Sequence, residues 1–104
     1  MKKRVSILSQ NIIKIISEKG RCSVMEVGIG EGNTMRHLIE HLDKKYQNKI
    51  DLFGIELSFS RIKITKKHIE NCNLYVGDMN NIPFKDNSID IVYTSSAIEE
   101  RNIK

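Results

Sequence analysis

The spacing of apolar residues predicts an amphipathic helix at the start of the chain. At 100° per residue, the apolar side chains between positions 5 and 16 share one arc of about 100°, which is the stripe of a helix packed on a core. This stripe consists of Val5, Leu8, Ile12, Ile15 and Ile16. We expect the helix to occupy residues 1–20 and to end near Gly20. Polar residues interrupt the stretch, so it predicts neither a signal-peptide core nor a membrane span.

Four short apolar runs further along the chain predict β-strands. They lie at Ser23–Val27, Ile50–Ile55, Asn73–Gly77 and Ile89–Ser95. The first run is short and is stopped by glycines, a pattern typical of a parallel strand that is buried on both faces.

Helical patterns separate the first three strands. Asn33 or Thr34 is expected to cap a helix with an apolar stripe at i, i+3, i+4 and i+7, and residues 44–48 then form a loop. Ser58 or Ser60 is expected to begin the next helix, with its own apolar side. The first stripe contains Met35, Leu38, Ile39 and Leu42, and the second contains Phe59, Ile62 and Ile69.

The alternation of strands and helices predicts an α/β fold. We expect a Rossmann-like, doubly wound parallel sheet with four strands and right-handed crossovers. Residues 1–104 should form one domain, with the amino-terminal helix at 1–20 and a βαβαββ cofactor-binding unit at 23–100. In such sheets, ligands bind at the carboxyl ends of the strands.

Composition and charge narrow the class of protein. The net charge is +4, but no aromatic residues interleave with the basic ones, so we expect a solvated surface and no nucleic-acid partner. Cys22 and Cys72 form no CxxC pair and only three histidines accompany them, which predicts neither a metal site nor a disulfide framework. We expect a cytoplasmic protein with reduced thiols.

A glycine-rich turn follows the first strand. Gly28, Gly30 and Gly32 stand at alternate positions and precede a helix, where free backbone N–H groups can bind an anionic group. The nicotinamide fingerprint requires glycine at position 33, and Asn33 stands there. Glu26 can attract an ammonium group directly or through water, so a zwitterionic amino-acid moiety suits both features.

Acidic residues follow the second and third strands. Glu56 lies 24 residues after Gly32, where it can accept hydrogen bonds from ribose hydroxyls or serve as an ordinary exposed acid. Asp78 can accept the adenine amino proton, and Met79 can offer a polarizable face, although turn chemistry alone also explains them.

These motifs, in this order, resemble those of class I S-adenosylmethionine-dependent methyltransferases over Ser23–Glu100. The segments are Glu26–Gly32, Gly54–Ser58, Val76–Met79 and Ile82–Val92. The resemblance implies S-adenosylmethionine as cofactor and a small-molecule methyl acceptor.

It also implies a role for individual residues. Gly28 and Gly30 would face the methionine part of the cofactor, and Glu26 would help to hold its amino group. Glu56 would bind the ribose. The adenine would be held by Leu57, Met79 and Asp78, and Ser95 would border the reactive methyl, while Asp90 would anchor a loop.

The family fold continues with three more strands, so neither the methyl acceptor nor a catalytic residue can be named from this sequence. The apolar fourth strand would then be an open edge through which two copies of the chain could pair. Two further functions stay open: a cofactor-binding remnant without activity and a nicotinamide-dependent oxidoreductase. Ser95, Ser96, Glu99 and Glu100 favour neither a hydrolase nor a metal site, because the motif contains no histidine.

Overall fold

Helices and strands alternate along the chain in the computed structural model, which describes residues 2–78 and 88–94. The elements are α1 (Lys2–Lys19), β1 (Cys22–Val27), α2 (Asn33–His41), α3 (Lys44–Gln47), β2 (Ile50–Glu56), α4 (Phe59–His68), β3 (Cys72–Val76) and β4 (Ile91–Tyr93). The predicted α/β class is therefore confirmed, and the bounds of β1, β2 and β3 agree with the apolar runs to within one residue.

The described strands form one parallel sheet in the order β3-β2-β1-β4. β1 is central, with Val24 beside Leu52 of β2 on one side and beside Ile91 of β4 on the other. After β1, the chain forms β2 and β3 on one side of β1, and β4 then pairs with the other side of β1. A crevice opens at such a switch in strand order, at the carboxyl ends of the strands.

The sheet separates two apolar clusters. One face of β1 contributes Cys22 and Val24 to a core shared with α1, α2 and Ile69, which follows α4. The other face contributes Met25 and Val27, which cluster with Ile55. Both faces of the strand are thus buried, as the short apolar run predicts.

The amino-terminal helix packs by the predicted stripe. Val5, Leu8, Ile12 and Ile16 are buried and Ile15 is half-buried. Among the described residues, no helix is long and apolar enough to cross a membrane.

Two details of the predicted loops and caps are wrong. Gly32, rather than Asn33 or Thr34, caps α2, because its left-handed backbone turns the chain into the helix without a side-chain hydrogen bond. Residues 44–47 form a single helical turn instead of a loop, in which the N–H of Tyr46 donates to Asp43 O at 2.9 Å.

Helix α4 begins at the predicted cap, since Ser58 Oγ accepts a hydrogen bond from Arg61 N. The prediction that Phe59 lies on its buried side is wrong, because Phe59 is 58% exposed. The buried face is centred on Ile62, Thr65 and Ile69, and Phe59 lies about 60° beyond Ile62 around the helix.

The fourth strand is shorter than predicted within the described residues. Pairing with β1 begins at Ile91, because Asp90 is occupied by hydrogen bonds to Ser23. The carboxyl end of the predicted strand, Ser95, lies outside the described residues.

Candidate functional site

The carboxyl ends of the first three strands enclose a shallow depression of about 120 Å³. It is lined by Val27, Gly28, Ile55, Glu56, Leu57, Gly77 and Asp78. Four of the predicted site residues, Gly28, Glu56, Leu57 and Asp78, are therefore brought together here. The arrangement follows from the parallel sheet, in which all strand carboxyl ends meet at one edge.

The glycine-rich turn forms one wall of this depression. Gly28 and Gly30 have φ angles of 69° and 61°, in the left-handed region that glycine adopts without a steric penalty. A Cβ added at either glycine would have no protein atom within 4 Å. The backbone of the turn therefore borders open space, into which a ligand can approach closely.

Two other glycines serve packing. A Cβ at Gly32 would come within 3.0 Å of Ile69 Cδ1 and Thr65 Cγ2. A Cβ at Gly54 would lie 2.6 Å from Ile29 Cδ1, in the middle of the turn. These contacts seat the turn directly against α4 and β2.

Glu56 connects the turn to the beginning of α4. Its Oε1 accepts from Gly30 N at 2.8 Å, and its Oε2 accepts from Ser58 N at 3.1 Å. Its backbone O also accepts from Gly77 N at 3.0 Å. A carboxylate has about four acceptor positions, so these two side-chain bonds leave capacity for the hydroxyls of a ligand.

Glu26 is completely buried behind the turn, on the α2 side of the sheet. Its Oε1 accepts a hydrogen bond of 2.9 Å from the phenol of Tyr93, which faces it across the β1–β4 ladder. Burial, together with the negative charge of Glu26, raises the pKa of Tyr93 well above its usual value. The phenol therefore remains protonated and donates.

Two residues that sequence reasoning missed hold the turn in place. Thr65 is fully buried, and its hydroxyl donates to Gly30 O at 2.7 Å. His68 Nδ1 lies 3.2 Å from Glu31 O. Thr65 falls three residues after Ile62 and four before Ile69, so a polar residue on a buried stripe was the available signal.

The other predicted site residues lie either at the exposed rim of the depression or outside the described residues. Leu57 is 71% exposed at the rim of the depression, and Asp78 is exposed directly after β3. Met79 and Ser95 lie outside the described residues, as does most of the segment before β4 that contains Pro83.

Asp90 has the structural role expected of it. Its Oδ2 accepts from Ser23 N at 2.9 Å and from Ser23 Oγ at 3.1 Å, and its Oδ1 accepts from Lys19 Nζ at 2.5 Å. Burial by itself would raise the pKa of Asp90, but the hydrogen bonds from Lys19 and Ser23 outweigh it and lower that pKa. These contacts join α1, β1 and the start of β4 at the edge opposite the depression.

The cysteines supply no reactive group. Burial raises the pKa of Cys22 and of Cys72 to about 12, so both are thiols at neutral pH. Within residues 2–78 and 88–94, no cluster of three or more His, Cys, Asp or Glu residues could hold a metal ion.

A larger hollow of about 360 Å³ lies between α2 and α4, away from the strand carboxyl ends. Its apolar floor includes Ile39, Leu52 and Ile69, and its rim mixes Arg36 and His68 with Glu40 and Glu70. The rim has no dominant charge, and the hollow contains none of the predicted site residues. We therefore take the smaller depression as the candidate functional site.

A family model described as a methyltransferase domain matches residues 24–104. The chain belongs to this methyltransferase family. The match includes the glycine-rich turn and all three strand ends that line the depression, so the resemblance drawn from the sequence motifs is confirmed for the family.

Two curated proteins are similar to this methyltransferase domain. Demethylmenaquinone methyltransferase of Thermotoga maritima is 25% identical over 83 residues, which cover 80% of this chain and 34% of that protein. Ribose-5-phosphate isomerase A of Rhodopseudomonas palustris is 29% identical over 68 residues, or 65% of this chain and 28% of that protein. The chain thus spans about a third of the length of these relatives.

Solved structures confirm the fold. A proposed S-adenosyl-L-methionine-dependent methyltransferase from Methanococcus maripaludis has a TM-score of 0.62 at 20% identity, covering 96% of this chain and 45% of that one. The plantazolicin methyltransferase BpumL, solved with a desmethyl analog and S-adenosylhomocysteine, has a TM-score of 0.61 at 19% identity. That match covers 86% of this chain and 33% of BpumL.

Proposed function

We propose that this chain binds S-adenosylmethionine at the carboxyl edge of its sheet and forms the cofactor-binding part of a methyltransferase for a small-molecule acceptor. The observation that carries the proposal is the convergence of the glycine turn, Glu56 and Asp78 around one depression. When bound, the cofactor supplies a sulfonium-activated methyl group for in-line displacement.

The residues present fit the cofactor in shape. The side of the turn at Gly28 and Gly30 is open enough to accept the amino-acid moiety against the backbone, since an added Cβ there meets nothing. The depression of about 120 Å³ suits part of the adenosine, with Glu56 beside the ribose and Leu57 and Asp78 beside the adenine. Met79 and Ser95 are proposed contacts by their position in the sequence alone.

The protein's task in methyl transfer is to position the reactants. A sulfonium is already an excellent leaving group, so alignment and exclusion of water can supply most of the acceleration. Fixed contacts at the turn serve this purpose, because Thr65 and Glu56 form hydrogen bonds with the backbone of Gly30 and the side chain of Ile29 lies close to Gly54. No acid or base is assigned.

Calorimetric titration with S-adenosylhomocysteine and with NAD tests the cofactor. We expect S-adenosylhomocysteine to bind more tightly, because Asn33 replaces the glycine that the pyrophosphate motif requires. Tighter binding of NAD would instead support a nicotinamide-dependent oxidoreductase, and binding of neither would reject the proposed site.

Two glycine variants test whether the ligand binds at the glycine turn, one in the turn and one as a control outside it. Gly28 and Gly20 both have positive φ angles, of 69° and 87°, and an added Cβ meets no protein atom at either one. Changing either glycine to Ala should therefore cost a similar backbone strain, about 1–2 kcal/mol. Only Gly28→Ala should weaken S-adenosylhomocysteine binding, because Gly20 follows α1 at the opposite edge of the sheet.

Transfer itself is tested with a panel of acceptors and radiolabelled S-adenosylmethionine. The names of the similar proteins suggest demethylmenaquinone and a triazolic desmethyl plantazolicin analog as first members of the panel. Label transfer to a small molecule supports a methyltransferase. Binding without transfer to any acceptor would favour a cofactor-binding domain that lacks activity by itself.

A further inference from the structure

The buried pair of Glu26 and Tyr93 extends the proposed site beneath its surface. The two residues are partners in the β1–β4 ladder, and both are buried, Glu26 completely. Tyr93 Oη donates to Glu26 Oε1 at 2.9 Å. Glu26 stands two residues before Gly28, so this bond connects β4 to the root of the glycine turn.

The burial of Glu26 makes the hydrogen bond from Tyr93 important. A carboxylate removed from water is costly unless hydrogen-bond donors compensate it, and a donor to the charged form favours that form. The phenol also lies 3.9 Å from Met35 Sδ in the first turn of α2. Contacts with both β1 and α2 restrict the rotation of the ring and therefore fix the direction of its O–H bond.

Because Glu26 has no exposed surface, it can act on a ligand only through its charge or through an intervening water. Charge interactions are stronger at short range in a protein interior than in water, so the location of that charge matters. An ammonium group held at the adjacent turn would respond to it, whereas a neutral ligand would not.

We propose that Tyr93 is a positioning residue for the cofactor, which donates to the Glu26 carboxylate and fixes it behind the turn so that it attracts the ammonium group of the amino-acid moiety. The inference rests on the proposed function of the site. It adds a residue of β4 to a site otherwise built from β1, β2 and β3.

Two ligands that differ in the amino-acid moiety provide the test. S-adenosylhomocysteine carries the complete moiety, whereas 5′-methylthioadenosine retains the adenosine and the thioether but has neither the ammonium group nor the carboxylate. We expect Tyr93→Phe to weaken S-adenosylhomocysteine about tenfold, the order of effect of a hydrogen bond to a charged group, and to leave 5′-methylthioadenosine unchanged. Ile91→Val, a buried change two residues earlier on β4, is the packing control and should affect neither ligand.

Equal weakening of both ligands by Tyr93→Phe would show a general structural role and would overturn the inference, as would no change in either. If Tyr93→Phe does not fold, Glu26→Gln provides the test, because it keeps an acceptor for the phenol and removes the charge. It should weaken S-adenosylhomocysteine alone, and any other result overturns the inference. If the unmodified chain binds neither ligand, the proposed function fails instead.

Discussion

At the scale of single residues, Glu56 has a structural role in addition to its proposed role in binding the ribose. Its carboxylate accepts from the backbone N–H of Gly30 in the turn and of Ser58 at the cap of α4. The side chain is almost completely buried, so these bonds are shielded from competition with water. The sequence alone suggested a ribose ligand or an exposed acid, and the structure rules out the exposed acid.

We predict that Glu56→Ala weakens S-adenosylhomocysteine binding by about 1–3 kcal/mol, the cost of removing a charged hydrogen-bond partner. The melting temperature should also fall by several degrees without loss of the fold, since two backbone N–H groups lose their acceptor. Calorimetry and thermal unfolding measure the two effects.

Glu31→Ala is the matched control, because Glu31 is an exposed acid in the same turn. It should change neither the affinity nor the melting temperature. Unchanged affinity in Glu56→Ala would mean that Glu56 supports only the backbone of the turn.

At the scale of elements, a polar cluster joins α1, β1 and β4 at the edge opposite the site. Asp90 receives hydrogen bonds from Lys19 at the end of α1 and from Ser23 in β1, and its own N–H donates to Ser23 Oγ at 2.8 Å. The same cluster sets where pairing of β4 with β1 begins.

We predict that this cluster makes stability depend on pH at the acid limit. The pKa of Asp90 is lowered in the folded chain from 3.8, so the unfolded chain binds the proton more readily. The stabilisation is therefore fully present above pH of about 4 and is lost as pH falls through the lower, folded pKa. Urea unfolding between pH 2 and pH 6 measures how the free energy of unfolding changes with pH.

Asp90→Asn should be less stable at pH 6 and should show a shallower decline of the free energy of unfolding below pH 4. Asp51→Asn is the control, because Asp51 forms an exposed ion pair with Arg21 at the same end of the sheet. Exposed pairs of this kind contribute little, so its stability should stay close to that of the unmodified chain. If the free energy of unfolding of Asp90→Asn declined below pH 4 as steeply as that of the unmodified chain, the prediction would be contradicted.

At the scale of the whole molecule, the sheet presents unpaired backbone at its margins. Among the described strands, β3 and β4 each have a neighbour on one side only. The two edges differ in their side chains, since Val76 of β3 is 55% exposed whereas Ile91 and Tyr93 of β4 are buried.

We predict that the 104-residue chain self-associates through the β4 edge, because an open parallel strand with apolar neighbours offers hydrogen bonds to a second copy. Sedimentation equilibrium at high micromolar concentration should give a mean mass above 12.0 kDa. Val76→Lys, which places a charge on the other edge, should leave that mass unchanged. If the unmodified chain is a monomer, the prediction is wrong. If the unmodified chain self-associates and Val76→Lys is a monomer, the association occurs through β3.

Much of the fold could be predicted because it is encoded locally. Apolar runs located each described strand except the short β4 to within one residue, and the three glycines of the turn predicted where the candidate site lies. Phe59 shows the limit of periodicity. Thr65 stands in the sequence as a polar residue on the stripe of Ile62 and Ile69, but only the structure shows that its hydroxyl donates to Gly30 O.

The sequence by itself determined the order of strands and helices, the parallel sheet and the glycine turn, because each depends on neighbouring residues and on backbone preferences. Only the tertiary structure decided which groups hold that turn in place. Glu56 reaches Gly30 across 26 residues, Thr65 reaches Gly30 across 35, and Tyr93 reaches Glu26 across 67. Such pairs form because parallel strands bring distant segments to one edge, and no local pattern specifies which side chains meet there.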